Sequence, residues 1–158
     1  MLGGQMWVLA QLFRLFMLNT VECNQMIHIH FICRGNVYRS RLAEAYAKSL
    51  LKDDSDIEIS SSGIEAKLAL NGDVDIDALK ALEADNLKKH LAPSWQQTTQ
   101  DLIDRLDLLV FMNDSVYDDA SKLYNLPKDK CVIWHIKDVD NIYPQVKEQV
   151  DILMSKYV

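Results

Sequence analysis

Four short apolar runs, each followed by a stretch with helical character, limit this chain more than any other feature of its sequence. The runs are Ile27 to Ile32, Ile57 to Ser60, Leu106 to Met112 and Lys130 to Ile136. Their β-branched and aromatic residues suit strands. The stretches after them, Leu42 to Lys52, Asp75 to Lys89, Asn113 to Tyr124 and Tyr143 to Tyr157, carry helical spacing, and Thr99-Gln100-Asp101-Leu102 starts a shorter helix. Strands alternating with helices dictate a parallel sheet with right-handed crossovers. The expected fold is therefore α/β, a single open four-stranded sheet with helices on both faces, in a three-layer flavodoxin-like sandwich. A chain of 158 residues fits one such domain.

The first strand runs into Cys33-Arg34-Gly35-Asn36-Val37-Tyr38-Arg39, and Ser40, Leu42, Ala43, Glu44 and Ala45 then begin a helix. A strand that turns directly into a helix aims that helix's unpaired N–H groups, and the positive end of its dipole, into the turn. Gly35 and Asn36 are the residues best able to adopt the left-handed backbone of a wrapped loop. Successive N–H groups curled in this way form a nest for a phosphate-sized oxyanion. Arg39 adds a planar two-pronged donor. Cys33, at the bottom of this positive field, is favoured as a thiolate, and Ser40 is placed to donate its hydroxyl to it. A phosphate held over a reactive sulfur points to nucleophilic phosphoryl transfer.

The segment CRGNVYRSRLAEA resembles the phosphate-binding loop of the low-molecular-weight protein tyrosine phosphatases, whose pattern is C-x-G-N-x-C-R-S-P-x-A-E. Cys33, Gly35, Asn36, Arg39, Ser40, Ala43 and Glu44 match it, whereas Tyr38 replaces a cysteine and Arg41 a proline. The resemblance implies a metal-free and cofactor-free phosphotyrosine-protein phosphatase that works through a phosphocysteine. Cys33 would be the nucleophile, with Arg39 and the N–H groups of residues 34 to 40 around the phosphate. The substrate-binding set is then Arg34, Gly35, Asn36, Val37, Tyr38 and Ser40. Ser61, in Ser61-Ser62-Gly63 where the family has S-A-G, would brace Asn36; a serine-rich turn is the other reading of that tripeptide.

A phosphatase of this kind also needs a carboxyl group to protonate the leaving oxygen and then activate water. The family supplies it from an Asp-Pro-Tyr-type loop after the last strand. Here Ile136-Lys137-Asp138-Val139-Asp140 occupies that place, so Asp138 is the expected acid and Asp140 the alternative. Cys33 and Asp138 are 105 positions apart, yet both follow strands of one sheet, and ligands sit at the carboxyl ends of such strands where strand order reverses. A non-catalytic phosphate- or phosphoprotein-binding module on the same fold is the rival reading, because the acid loop has changed. Arsenate reduction needs further redox cysteines, and only Cys131 lies downstream. Arg34, as a second cation beside the phosphate, should repel a phosphoguanidinium group. Tyr38 or Trp95 could give an aromatic wall for a phosphotyrosine ring.

The remaining features are quieter. Net charge is −6 with no basic patch, which argues against nucleic acid as a partner. Cys23, Cys33 and Cys131 show no paired spacing, so neither a disulfide framework nor a zinc site is supported, and a reducing, cytoplasmic setting fits. The expected partner is a phosphotyrosine-bearing protein, and the expected assembly a monomer or weak dimer. His28 and His30 share a strand face but lack a third metal ligand, so burial with satisfied hydrogen bonds is expected. His90 reads as a surface residue at a helix end. Asp73, Asp75 and Asp77 read as a solvated helix start rather than a calcium loop. Asn71-Gly72 signals a turn. Met6 to Leu18 is apolar but interrupted by Gln11 and Arg14, and too short to span a bilayer. The expected division is therefore an N-terminal extension, 1–25, before a phosphatase domain, 26–158, that starts at Met26. A surface anchor in 1–25 is the alternative.

Overall fold

The structure, a computed structural model, describes residues 25–68 and 74–158. The expectations placed on 1–24, on the Asn71-Gly72 turn and on Asp73 lie outside the described residues.

Strand β1, Ile27–Cys33, pairs in parallel with β2, Ile57–Gly63, on one side and with β3, Leu108–Phe111, on the other. Strand β4, Cys131–Ile133, pairs in parallel with β3, giving the order β2-β1-β3-β4. The chain thus steps outward from β1 to β2, then returns to the opposite side of β1 for β3. That reversal opens a crevice at the carboxyl ends of β1 and β3, where Cys33 lies.

Among the described residues five α-helices cover the sheet: α1 Arg39–Leu50, α2 Ile76–Ala84, α3 Gln100–Arg105, α4 Asp114–Leu123 and α5 Tyr143–Met154. Strand residues pointing to one face, among them Ile29, Phe31, Ile59 and Val110, and Met112 just past β3, pack with Leu42 and Ala43 of α1, Leu82 of α2 and Val146 and Val150 of α5. On the other face Ile32, Leu109 and Phe111 meet Ile103 of α3 and Val116 and Ala120 of α4. The expected three layers are therefore present.

Boundaries differ from the periodicity for identifiable reasons. Asp75 to Lys89 is not one helix, because Asn86 takes φ 58°, a left-handed conformation that ends the helical path; a 3₁₀ turn at Lys88–His90 follows. Asp75 caps α2 by accepting from the Asp77 N–H at 2.8 Å, which makes this acidic stretch the helix start expected of it. Ser61, Ser62 and Gly63 do not form a turn; they continue β2 in register with Phe31, Ile32 and Cys33. Strand β3 is shorter than Leu106 to Met112, and β4 begins only after a 3₁₀ turn at Lys128–Lys130.

The two strand histidines divide their nitrogens among different partners. His28 faces Asp107 and Glu58, each at 3.1 Å. His30 is buried, its ring held between the Ser60 hydroxyl at 2.6 Å and the Ser62 hydroxyl at 2.7 Å. Burial lowers its pKa to about 4, so the ring is neutral.

Candidate active site

The β1–α1 connection wraps around the Cys33 sulfur. Asn36 adopts φ 53°, and this left-handed step turns its own N–H back onto Sγ at 3.1 Å. From the first turn of α1 the Ser40 hydroxyl reaches Sγ at 2.9 Å. The sulfur is thus gripped from two sides before any ligand arrives. Tyr38, at the N-cap, makes no capping bond with its side chain, and no acidic residue lies in the first turn of α1. The amides at this helix start are left facing the loop, and no local carboxylate competes with an incoming anion.

A buried polar floor holds the loop in this shape. The Asn36 side-chain amide donates to Ser40 Oγ at 2.9 Å and to Ser61 Oγ at 2.8 Å. Its carbonyl oxygen accepts from the Gln96 backbone N–H at 2.8 Å. Ser61 in turn donates to Glu44 at 2.5 Å, and Glu44, itself buried, is paired with Lys48 at 2.6 Å. Gly63 lies under the loop at the end of β2. A Cβ there would fall 2.6 Å from the Arg34 carbonyl oxygen and 2.6 Å from the Asn36 nitrogen, so only glycine permits this approach.

Arg39 leaves the N-terminus of α1 with Nη1 buried and unpartnered among the described residues, while Nη2 meets Asp138 at 3.3 Å. A buried guanidinium nitrogen without an acceptor is costly in a folded protein. A phosphate oxygen would satisfy it. Asp138 comes from the segment between Ile136 and Ile142, both buried. The Gln145 side chain fixes the base of that segment, accepting from the Lys137 N–H at 3.1 Å and donating to the Lys137 carbonyl at 3.2 Å. Asp138 itself is 75% exposed. Asp140 is exposed and makes no ion pair among the described residues.

Cys33, Asn36, Ser40 and Ser61 are thus joined by hydrogen bonds, and Arg39, the residue before Ser40, pairs with Asp138. Gly35, Val37 and Tyr38 line the loop and are half-buried. Tyr38 packs against the core face, and burial together with the Asp75 and Asp77 carboxylates raises its pKa. Arg34 departs from expectation. Its guanidinium forks across Glu65 and Asp119, each at 2.8 Å, so two carboxylates neutralise it. The electrostatic argument against a phosphoguanidinium substrate loses its basis. Trp95 lies in the loop between the 3₁₀ turn at Lys88–His90 and α3, 36% exposed. His90 ends that 3₁₀ turn, and burial with the adjacent lysines lowers its pKa.

Sequence reasoning missed the structural roles of Glu44, Gly63 and Gln96. Glu44 was visible as part of the loop pattern. The contribution of Gln96 is a backbone N–H, which no side-chain pattern reveals. No cluster of three or more metal-binding side chains occurs among the described residues.

A cysteine at the carboxyl end of the first strand of a flavodoxin-like sheet, its sulfur bonded by a loop amide and a serine hydroxyl and followed by an arginine at a helix N-terminus, fits the class of thiol-dependent phosphoryl-transfer proteins. Residues 28–152 match the family model for low molecular weight phosphotyrosine protein phosphatase, and the chain belongs to that family. It is accordingly a cysteine-based phosphatase, a class whose reaction passes through a phosphocysteine. Among solved structures it is similar to Vibrio vulnificus Wzb in complex with benzylphosphonate, at 18% identity and TM-score 0.69, covering 83% of this chain and 99% of that one. The Streptococcus pyogenes low molecular weight protein tyrosine phosphatase SP-PTP superposes with TM-score 0.70 at 16% identity over 84% of this chain and 94% of that one. The YwlE arginine phosphatase does so with TM-score 0.66 at 23% identity, over 81% and 91% respectively. No curated protein sequence matches the chain.

Proposed function

We propose that the domain spanning 26–158 hydrolyses phosphotyrosine in proteins, with Cys33 as nucleophile, Arg39 and the loop amides as phosphate ligands, and Asp138 as acid and then base. The observation that supports this reading is the Cys33 sulfur held by two hydrogen bonds in a loop whose Arg39, six residues on, pairs with Asp138 from the far end of the chain.

The Cys33 thiolate attacks phosphorus, and the bond from phosphorus to the phenolic oxygen breaks. The departing oxygen keeps the electron pair and takes the proton of Asp138 in its acid form. Arg39 and the amides of the loop hold the equatorial oxygens where charge builds up. Asp138, now a carboxylate, removes a proton from water as that water attacks the phosphocysteine. The sulfur–phosphorus bond breaks, and Cys33 leaves as the thiolate that began the cycle. Ser40 and the Asn36 N–H, already aimed at the sulfur, stabilise it as it leaves.

A reducing cytoplasm suits a chemistry that depends on a free Cys33. Among the described residues no helix is long and apolar enough to cross a membrane. Arsenate reduction through a second cysteine finds no support in the geometry. Cys131 stands in register with Leu109 and, through it, with His30, two strands across and three residues back from Cys33. Strand spacing and rise put the two Cα atoms about 14 Å apart, and the side chains lie on opposite faces of the sheet.

Hydrolysis of p-nitrophenyl phosphate tests the proposal. Turnover by the wild type, reduced to the uncatalysed background in Cys33→Ser while vanadate still binds the variant, is the expected result. Binding without turnover in the wild type would instead establish a phosphate-binding module. A phosphotyrosine peptide should be cleaved in preference to phosphoarginine, and the reverse preference would reassign the substrate.

A further inference from the structure

Arg41 is the bulkiest fully buried side chain in the structure, 1% exposed, and it stands where the family's loop pattern has proline. Burying a guanidinium is tolerated only when its donors are used. Here Nη1 donates to the Ser94 carbonyl oxygen and Nη2 to the Ala92 carbonyl oxygen at 2.7 Å. These two carbonyls flank Pro93, whose φ is fixed by its ring. A planar fork presents its donors to two such acceptors in a fixed geometry, which a lysine on its flexible stem does not.

What this grip holds in place bears on the nucleophile. Two residues beyond Ser94, Gln96 gives its N–H to Asn36 Oδ1 at 2.8 Å, and its carbonyl accepts from the Gly63 N–H at 2.9 Å. Thr98 closes the segment on Gly63 with an N–H bond of 2.9 Å and on Ser62 with a hydroxyl contact of 2.7 Å. The 92–98 segment is therefore fastened at one end by Arg41 of α1 and at the other by the end of β2. Between these anchors lies the amide that fixes the Asn36 side chain. Asn36 orients Ser40, and both contact Cys33 Sγ.

We propose that Arg41 is a positioning residue for the phosphatase reaction, holding the 92–98 segment so that the Gln96 amide locks Asn36, and through it Ser40, against the nucleophile. The Arg41 bonds to Ser94 and Ala92 lie away from the sulfur, and their effect is transmitted through Asn36. The inference rests on the phosphatase reading for its consequence on rate. Alkylation of Cys33 reads the loop without requiring turnover, so a wild type that alkylates rapidly but hydrolyses nothing would defeat that reading alone.

The test is a double-mutant cycle on the full chain. Asn36→Gly removes the side chain while tolerating the left-handed backbone. Arg41→Met should lower kcat for p-nitrophenyl phosphate about tenfold, with KM changed less than about threefold, and slow iodoacetate alkylation of Cys33 at pH 6 by a similar factor, as expected for losing one oriented hydrogen bond. In the Asn36→Gly background the same substitution should cost less than about twofold, because residues acting through one another are not additive. Arg41→Lys should fall between wild type and Arg41→Met. If Arg41→Met does not fold, Arg41→Lys decides on the same readouts. An undiminished effect of either substitution in the Asn36→Gly background would overturn the proposal. So would wild-type kcat and alkylation rates in a folded single variant.

Discussion

The floor of the site and its roof are built in opposite ways. Beneath Cys33, the residues Asn36, Ser40, Glu44 and Ser61 are all buried, and each side chain has at least one partner within 2.9 Å. Asp138, the proposed roof, is 75% exposed and is paired with Arg39 at 3.3 Å on a short segment anchored by Ile136 and Ile142. The sulfur must be stabilised with no reorganisation at the moment of reaction, which a rigid network of short hydrogen bonds provides. The carboxyl group must give a proton to one molecule and take one from another, and an exposed position lets substrate, product and water exchange. Rigidity is concentrated where charge is fixed, and openness where protons move.

The sharpest way to break this comparison is to disable the roof alone. Asp138→Asn should lower kcat for aryl phosphates roughly 10²- to 10⁴-fold, the usual contribution of a positioned general acid and base. Its thermal stability should be nearly unchanged, because the side chain is mostly exposed. Asp140→Asn should retain most activity. Steady-state kinetics of both variants checks the assignment, and the reverse pattern would move the role to Asp140.

Beside the floor, buried His30 ties stability to pH. His30 is buried neutral with a pKa of about 4, below its usual value near 6.5 in an unfolded chain. Between those values the unfolded state binds the extra proton, so stability contributed by His30 is complete above pH 6.5 and is lost as pH falls toward 4. From pH 6.5 to 4 the wild type should lose about 3 kcal/mol more than His30→Gln, read from urea unfolding at each pH. Equal losses would show that burial does not hold the His30 ring neutral.

Gly63→Ala gives the smallest effect and probes the closeness of floor and loop. A methyl group 2.6 Å from two backbone atoms forces a shift that should cost about 1–3 kcal/mol of stability and lower kcat without a matching change in the acid limb of the pH profile. Thermal denaturation together with a pH–rate profile reads both effects.

What was legible in the sequence was what is local. Strand, Cys33, Gly35-Asn36, Arg39-Ser40 and helix form one contiguous stretch, so the nest and its nucleophile could be inferred before any tertiary contact was known. The alternation of strands and helices likewise implied the parallel sheet. Legibility ended where side chains work against their usual preferences. A serine-rich turn was one reading of Ser61-Ser62-Gly63, yet Ser61 and Ser62 are buried in β2, where Asn36, His30 and Thr98 satisfy them. Arg34 read as a free cation, but Glu65 and Asp119 lie 31 and 85 positions away. Arg41 read only as a departure from a proline. Its partners are backbone carbonyls more than 50 positions on, and backbone groups carry no sequence signal.

The central claim is that the phosphoryl group passes onto Cys33 and that Asp138 helps to remove it. Rapid acid quench of Asp138→Asn during p-nitrophenyl phosphate turnover, followed by mass spectrometry of the peptide containing Cys33, tests this most directly. The account predicts one phosphoryl group on that cysteine, accumulating to a larger fraction of enzyme than in the wild type. Continued nitrophenol release with the Cys33 peptide unmodified at every quench time would contradict it.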